Sequence, residues 1–248
     1  MSKGSIGLSG AAIGPRPGLL LVECGMRRDL AVLIDHTLLR PDAVPSEFER
    51  LCAEAAHYDL ATVCVNSTHV GLCGELLGAS DVRVVATAGF PLGAASAIAK
   101  AAEASQAVRD GASEIDMVCQ IGDLKSGRER AFMEDIRRVV DAADGRVVKA
   151  ILETCLLTDD EKRRGAGWVR RAGAAFVKTS TGFAAGGATE EDVRLLRSEV
   201  GPDFGVKAAG GIRDAETADR MIAAGANRLG TSAGVAIVTE SEKGGAGY

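Results

Sequence analysis

Three segments between residues 147 and 211 decide the fold: Val147-Val148-Lys149-Ala150-Ile151-Leu152-Glu153, Phe176-Val177-Lys178-Thr179-Ser180 and Gly205-Val206-Lys207-Ala208-Ala209-Gly210-Gly211. Each is short and apolar and carries one lysine near its middle. Lys149 and Lys178 are 29 residues apart, as are Lys178 and Lys207, and Asp35 and Cys64 repeat the interval. One strand, one helix and two turns take about 30 residues, the unit an α/β barrel repeats. Five further runs extend the pattern, at 32–35, 61–65, 82–87, 114–118 and 227–230. Amphipathic stretches at 46–58, 98–110, 127–142, 158–172, 189–200 and 215–224 separate them. Ser46, Thr158, Thr189 and Asp214 are N-cap residue types, and Gly111, Gly173 and Gly225 fit helix C-termini. Strand–helix alternation predicts a parallel sheet, and eight strands predict closure: a single (β/α)8 TIM barrel of the α/β class.

The bulk numbers agree. A chain of 248 residues, 46% hydrophobic and 25% charged, can bury one large core. A net charge of −5 argues against nucleic acid or an anionic membrane as partner. The six cysteines form no CxxC pair, so reduced thiols in a cytoplasmic protein are expected. No histidine, cysteine and carboxylate grouping has metal-ligand spacing, and neither metal nor cofactor is expected. No run is long and apolar enough to span a bilayer. Residues 1–28, Gly-rich with Pro15 and Pro17, read as a flexible extension in which Met26 is a candidate start. Residues 29–238 form the barrel and 239–248 a flexible tail.

The lysines carry the chemistry. Lysine is disfavoured in strands and rarely buried; a solvated edge would explain one, but not three at a single spacing among apolar neighbours. On adjacent strands their ammonium groups would crowd together. A like charge and partial desolvation both disfavour the charged form, which leaves one neutral amine able to attack a carbonyl. Asp116, inside Glu-Ile-Asp-Met-Val, is the candidate proton shuttle; a structural ion pair with the lysines is compatible with that role. Asp35 and Glu153 also end strands and would position water, substrate or the lysines. His36 is expected to pack or hydrogen-bond behind the site, and His57 and His69 to be helix-surface or capping residues. Three glycine-rich turns, Thr179 to Gly182, Ala209-Gly210-Gly211 and Gly230-Thr231-Ser232, follow the last three strands. Backbone N–H groups there could hold phosphate, aided by a short helix after the eighth strand.

These segments resemble deoxyribose-phosphate aldolase. The resemblance rests on Ile34-Asp35-His36-Thr37-Leu38, Val63-Cys64-Val65, Ala88 to Gly93, Glu114 to Val118, Lys149 to Thr154, Phe176 to Phe183, Val206 to Ile212 and Gly230-Thr231-Ser232, in order from about residue 29 to 238. It implies a barrel and a metal-independent class I aldolase. The implied reaction is reversible cleavage of 2-deoxy-D-ribose 5-phosphate to glyceraldehyde 3-phosphate and acetaldehyde, a step of deoxyribonucleoside catabolism. Lys178 would form the Schiff base, Lys207 would lower its pKa and Asp116 would relay protons. Lys149, Asp35, Thr37, Cys64 and Glu153 would support them. Thr181, Gly182, Gly210, Gly211, Gly230 and Ser232 would bind phosphate. A homodimer or homotetramer is expected. Some members carry lysine where this chain has Phe183, so backbone donors would do more here. The family tends to end in a tyrosine thought to aid proton transfer, and this chain ends in Tyr248. Another Schiff-base aldolase, transaldolase-like or acting on ketose phosphates, and a non-catalytic phosphosugar-binding barrel are the alternatives.

Overall fold

A computed structural model of the protein describes residues 25–241. Most of the expected extension, and residues 242–248 of the expected tail, Tyr248 among them, lie outside the described residues. The strands are β1 Ile34–Leu38, β2 Thr62–Val65, β3 Arg83–Ala88, β4 Glu114–Val118, β5 Val147–Ile151, β6 Phe176–Lys178, β7 Gly205–Ala209 and β8 Arg228–Thr231. All neighbours are parallel, and β8 pairs with β1, closing an eight-stranded barrel. The helices are α1 Arg28–Ala31, α2 Pro45–His57, α3 Val70–Leu77, α4 Ala97–Arg109, α5 Ile121–Lys125, α6 Glu129–Ala142, α7 Asp159–Arg171, α8 Glu190–Val200, α9 Ala215–Ala223 and α10 Gly234–Thr239.

Alternation along each strand sorts residues into two environments. Ile34, Val63, Val84, Ala86, Ile115, Met117, Val148, Ala150, Val177, Val206, Ala208 and Leu229 all join the main apolar core. The alternate positions include Asp35, Asp116, Lys149, Lys178 and Lys207, all buried. Cys64 and Val85 also sit apart from the main core, in a small cluster with Leu39 against which Phe90 packs. The barrel is thus apolar where helices cover it and largely charged inside.

Helix starts follow the cap chemistry. Thr158, Thr189 and Asp214 each accept from the backbone N–H three residues on. Ser46 does not cap α2: Pro45 occupies the first turn, where its missing N–H costs nothing, and Glu47 reaches back to the Val44 N–H at 3.0 Å. The first strand begins two residues later than expected, because Arg28–Ala31 is helical and leaves Val32 exposed behind it. Sequence reading also missed α3, whose Gly71 and Gly74 and lack of a side-chain cap disguise it. His69 caps α3 by position and stacks on Phe48 at 4.0 Å, and His57 ends α2. The five described cysteines, Cys52, Cys64, Cys73, Cys119 and Cys155, are free thiols.

Candidate active site

Pairing places the lysines side by side. Lys178 is the last residue of β6 and lies opposite Lys207 of β7, while Lys149 of β5 lies opposite Asp116 of β4. All three ammonium groups converge on Asp116. Lys149 donates to Oδ1 at 2.8 Å, and Lys178 and Lys207 both donate to Oδ2 at 2.7 Å. Lys207 also makes a short contact with Asp35 Oδ2. Thr62 and Arg228 donate to Asp35 Oδ1 at 2.8 and 2.9 Å. Lys149 lies 2.5 Å from Glu114 Oε2 and 3.6 Å from Asp35.

The partners are unevenly shared. Lys149, Lys207 and Arg228 each face at least two carboxylates, whereas Lys178 has one carboxylate oxygen and divides it with Lys207. Charge follows. Burial pushes Lys178 below the ordinary lysine range; Asp116 opposes this and Lys207 reinforces it. Burial also works against Lys207 and Lys149, but Asp116 and Asp35 overcome it and both are raised. Burial alone would raise Asp116 and Asp35, yet the surrounding cations hold both below the usual carboxylate range, Asp116 well below it. A carboxylate held so low is an acceptor in the resting site, so a relay through it begins by accepting a proton.

The other expected residues divide into those that join this cluster and those that do not. Cys64 is buried close enough to feel Lys207, Asp116, Lys178 and Asp35, and burial pushes its thiol up to about 11. Thr37 donates its hydroxyl to its own strand, at Asp35 O. His36 turns to α2, where Nε2 lies 2.8 Å from Glu54. Glu153, buried and left-handed at φ 57°, sits past β5 and accepts from the Thr181 N–H and, in a short bond, from the Thr181 hydroxyl. Burial raises its pKa.

The glycine turns are laced together at one end of the barrel. Ala188 N–H donates to Gly210 O at 3.0 Å, and the Thr231 hydroxyl donates to Ile212 O at 2.7 Å. Gly182, Gly210 and Gly211 have φ of 88°, 89° and 81°, which only glycine adopts readily. Ser232 follows β8, with the short helix α10 just beyond. Gly230 answers a different demand: a Cβ there would come within 3.0 Å of Lys207 Cε. Phe183 lies edge-on to Phe90, ring centroids 5.3 Å apart. Together with Pro91, Leu92 and Leu156 it gives the cleft at this end an apolar wall.

Two features escaped sequence reading. Ser180 has a buried hydroxyl with no hydrogen-bond partner among the described residues, next to the Gly210 turn. Only its place two residues past Lys178 could have flagged it. Arg228 opens β8, where an arginine reads as a solvated strand end; instead it turns inward to Asp35 and Glu114.

Known proteins match this chain over the length of the barrel. The family model for DeoC/LacD family aldolases matches residues 30–240. Deoxyribose-phosphate aldolase 1 of Bacillus licheniformis is 57% identical over 86% of this chain and 96% of its own length. The deoxyribose-phosphate aldolase of Coprothermobacter proteolyticus is 56% identical over 84% and 95%. Among solved structures, a putative deoxyribose-phosphate aldolase from Coccidioides immitis superposes with a TM-score of 0.84 at 43% identity, covering 86% of each chain. The tetrameric deoxyribose phosphate aldolase of Aeropyrum pernix gives 0.79 at 36%, covering 86% of this chain and 91% of its own. The chain belongs to the DeoC/LacD family of aldolases.

Proposed function

We propose that this aldolase reversibly cleaves 2-deoxy-D-ribose 5-phosphate to glyceraldehyde 3-phosphate and acetaldehyde through a Schiff base on Lys178, in deoxyribonucleoside breakdown. The substrate class rests on the relatives' named activity. The choice of lysine rests on one observation: of the three lysines on Asp116, Lys178 alone meets a single carboxylate oxygen and shares it with Lys207, so burial pushes it toward the neutral amine. A neutral amine has the lone pair that attack on an aldehyde requires.

The Lys178 amine attacks C1 of the open-chain sugar. The charged Lys207 donates the proton that carries the C1 oxygen away as water, leaving an iminium. Removal of the C3 hydroxyl proton then breaks the C2–C3 bond, and the iminium takes up the electron pair as an enamine. Glyceraldehyde 3-phosphate departs; protonation at C2 and hydrolysis release acetaldehyde and restore the amine. Asp116, ionised in the resting site, holds the lysines in register; through an ordered water it accepts the C3 hydroxyl proton and returns it when C2 is protonated. The turns at Thr181-Gly182, Gly210-Gly211 and Ser232 offer backbone donors to the phosphate, with no side-chain cation at Phe183. The tetramer of the Aeropyrum pernix relative supports a homo-oligomer.

A cleavage assay that detects glyceraldehyde 3-phosphate tests the reading. Turnover of 2-deoxyribose 5-phosphate is expected. Activity confined to ketose phosphates that release dihydroxyacetone, or binding without turnover, would contradict it.

A further inference from the structure

The ion pairs around Asp116 continue away from the substrate turns to the opposite end of the barrel. Arg228 and Glu114 are the first residues of β8 and β4. Arg228 Nη1 occupies Asp35 Oδ1 together with the Thr62 hydroxyl, leaving only Oδ2 of Asp35 for the lysines. Its guanidinium also lies over the Phe176 ring, 5.9 Å from the centroid. Glu114 places Oε2 beside Lys149, while Oε1 faces Arg228 at 3.4 Å and the half-exposed Arg83 at 3.5 Å. Glu114 is 1% exposed, so its charge is felt inside the barrel rather than in water.

We propose that Arg228 and Glu114 are positioning residues that set how the interior carboxylates are divided among the lysines, and thereby leave Lys178 as the lysine without a carboxylate of its own. Arg228 ties up half of Asp35; without it, Asp35 would hold Lys207 more fully and release Asp116 Oδ2 to Lys178. Glu114 draws Lys149 aside; without it, Lys149 would press harder on Asp116 and leave Lys178 less. The direct fields act in the same senses. Loss of a buried cation favours the Lys178 ammonium, and loss of a buried carboxylate disfavours it. The groups facing Lys178 are Asp116 on β4, Lys207 on β7, Cys64 on β2 and Glu153 beyond β5.

The inference rests on Lys178 as nucleophile, a reading judged separately by which residue of the wild-type protein acetaldehyde and borohydride modify. Its own test is the pH dependence of kcat/KM for cleavage, whose acid limb reports the free-enzyme amine. Arg228→Met should move that limb up, and the isosteric Glu114→Gln should move it down, each by about one pH unit for a buried charge one residue removed. The double variant should return close to wild type, and Arg228→Lys, which keeps the charge, should not shift. Limbs that coincide with wild type, or single variants displaced in the same direction, would overturn the proposal. If Arg228→Met does not fold, Glu114→Gln and Arg228→Lys decide alone: an unmoved Glu114→Gln limb, or a displaced Arg228→Lys limb, overturns it.

Discussion

Lys178 and Lys207 donate to the same oxygen of Asp116, yet their protons are held with different strength, because Lys207 has Asp35 as well. The sequence showed three crowded lysines but not this asymmetry, since strand spacing says nothing of how carboxylate oxygens are shared. Ser180 was invisible for a similar reason: a serine in a Thr-Ser-Thr-Gly turn looks like any other until its hydroxyl is found buried without a partner among the described residues. A buried hydroxyl of this kind is satisfied when substrate supplies the missing group. Ser180→Ala should lower kcat/KM by about fivefold, the worth of one hydrogen bond, while leaving the melting temperature unchanged. A melting temperature that falls with activity untouched would contradict this. Cys64 presents the opposite case, a thiol near the lysines that is kept protonated. With its pKa pushed up to about 11 by burial, it should resist alkylation at pH 7 while the exposed Cys155 is labelled, as peptide mapping after brief iodoacetamide treatment would show. Faster labelling of Cys64 than of Cys155 would reverse that expectation.

Among elements, the strands and the helices after β1, β3, β4, β5, β6 and β7 were legible from apolar runs and cap residues, with shifts of a few residues at their ends. The helix α3 was not, because glycines at two of its eight positions weaken the local signal and the barrel's need to cross from β2 to β3 overrides it. The same level holds the contacts that join the glycine turns. A Cβ at Gly187 would lie 2.4 Å from Gly210 O, so the segment after β6 and the turn after β7 fit only as glycine against glycine. Gly187→Ala should therefore displace the Gly210 turn, raising KM for the phosphorylated sugar about tenfold with a smaller change for free 2-deoxyribose. Equal losses on both substrates would show that the turn does not serve the phosphate.

For the molecule as a whole, a closed barrel followed from eight runs at a common spacing, and a charged interior from the alternation of lysine and carboxylate with apolar residues along the strands. That interior fixes the response to acid. Asp35 and Asp116 are held below their ordinary value of 3.8, so the stability they contribute is fully present above that pH and is lost as the pH falls below it. Glu153 and Asp135 are raised, mainly by burial, and bind protons more readily folded than unfolded; as the pH falls from 7 they add stability. Lys178, pushed toward the neutral amine by burial, opposes this gain as the pH falls through its titration, so urea midpoints should change little between pH 7 and about 5 and drop below about 4. A decline that begins near pH 6 would mean that these carboxylates do not carry the acid response.

The most direct measurement treats the enzyme with acetaldehyde and sodium borohydride, digests it, and locates the modified lysine by mass spectrometry. An ethyl group is expected on Lys178, with loss of activity in step with its appearance and with Lys149 and Lys207 unmodified. An unmodified Lys178 in protein that has been inactivated, or an adduct on Lys207 in its place, would contradict it.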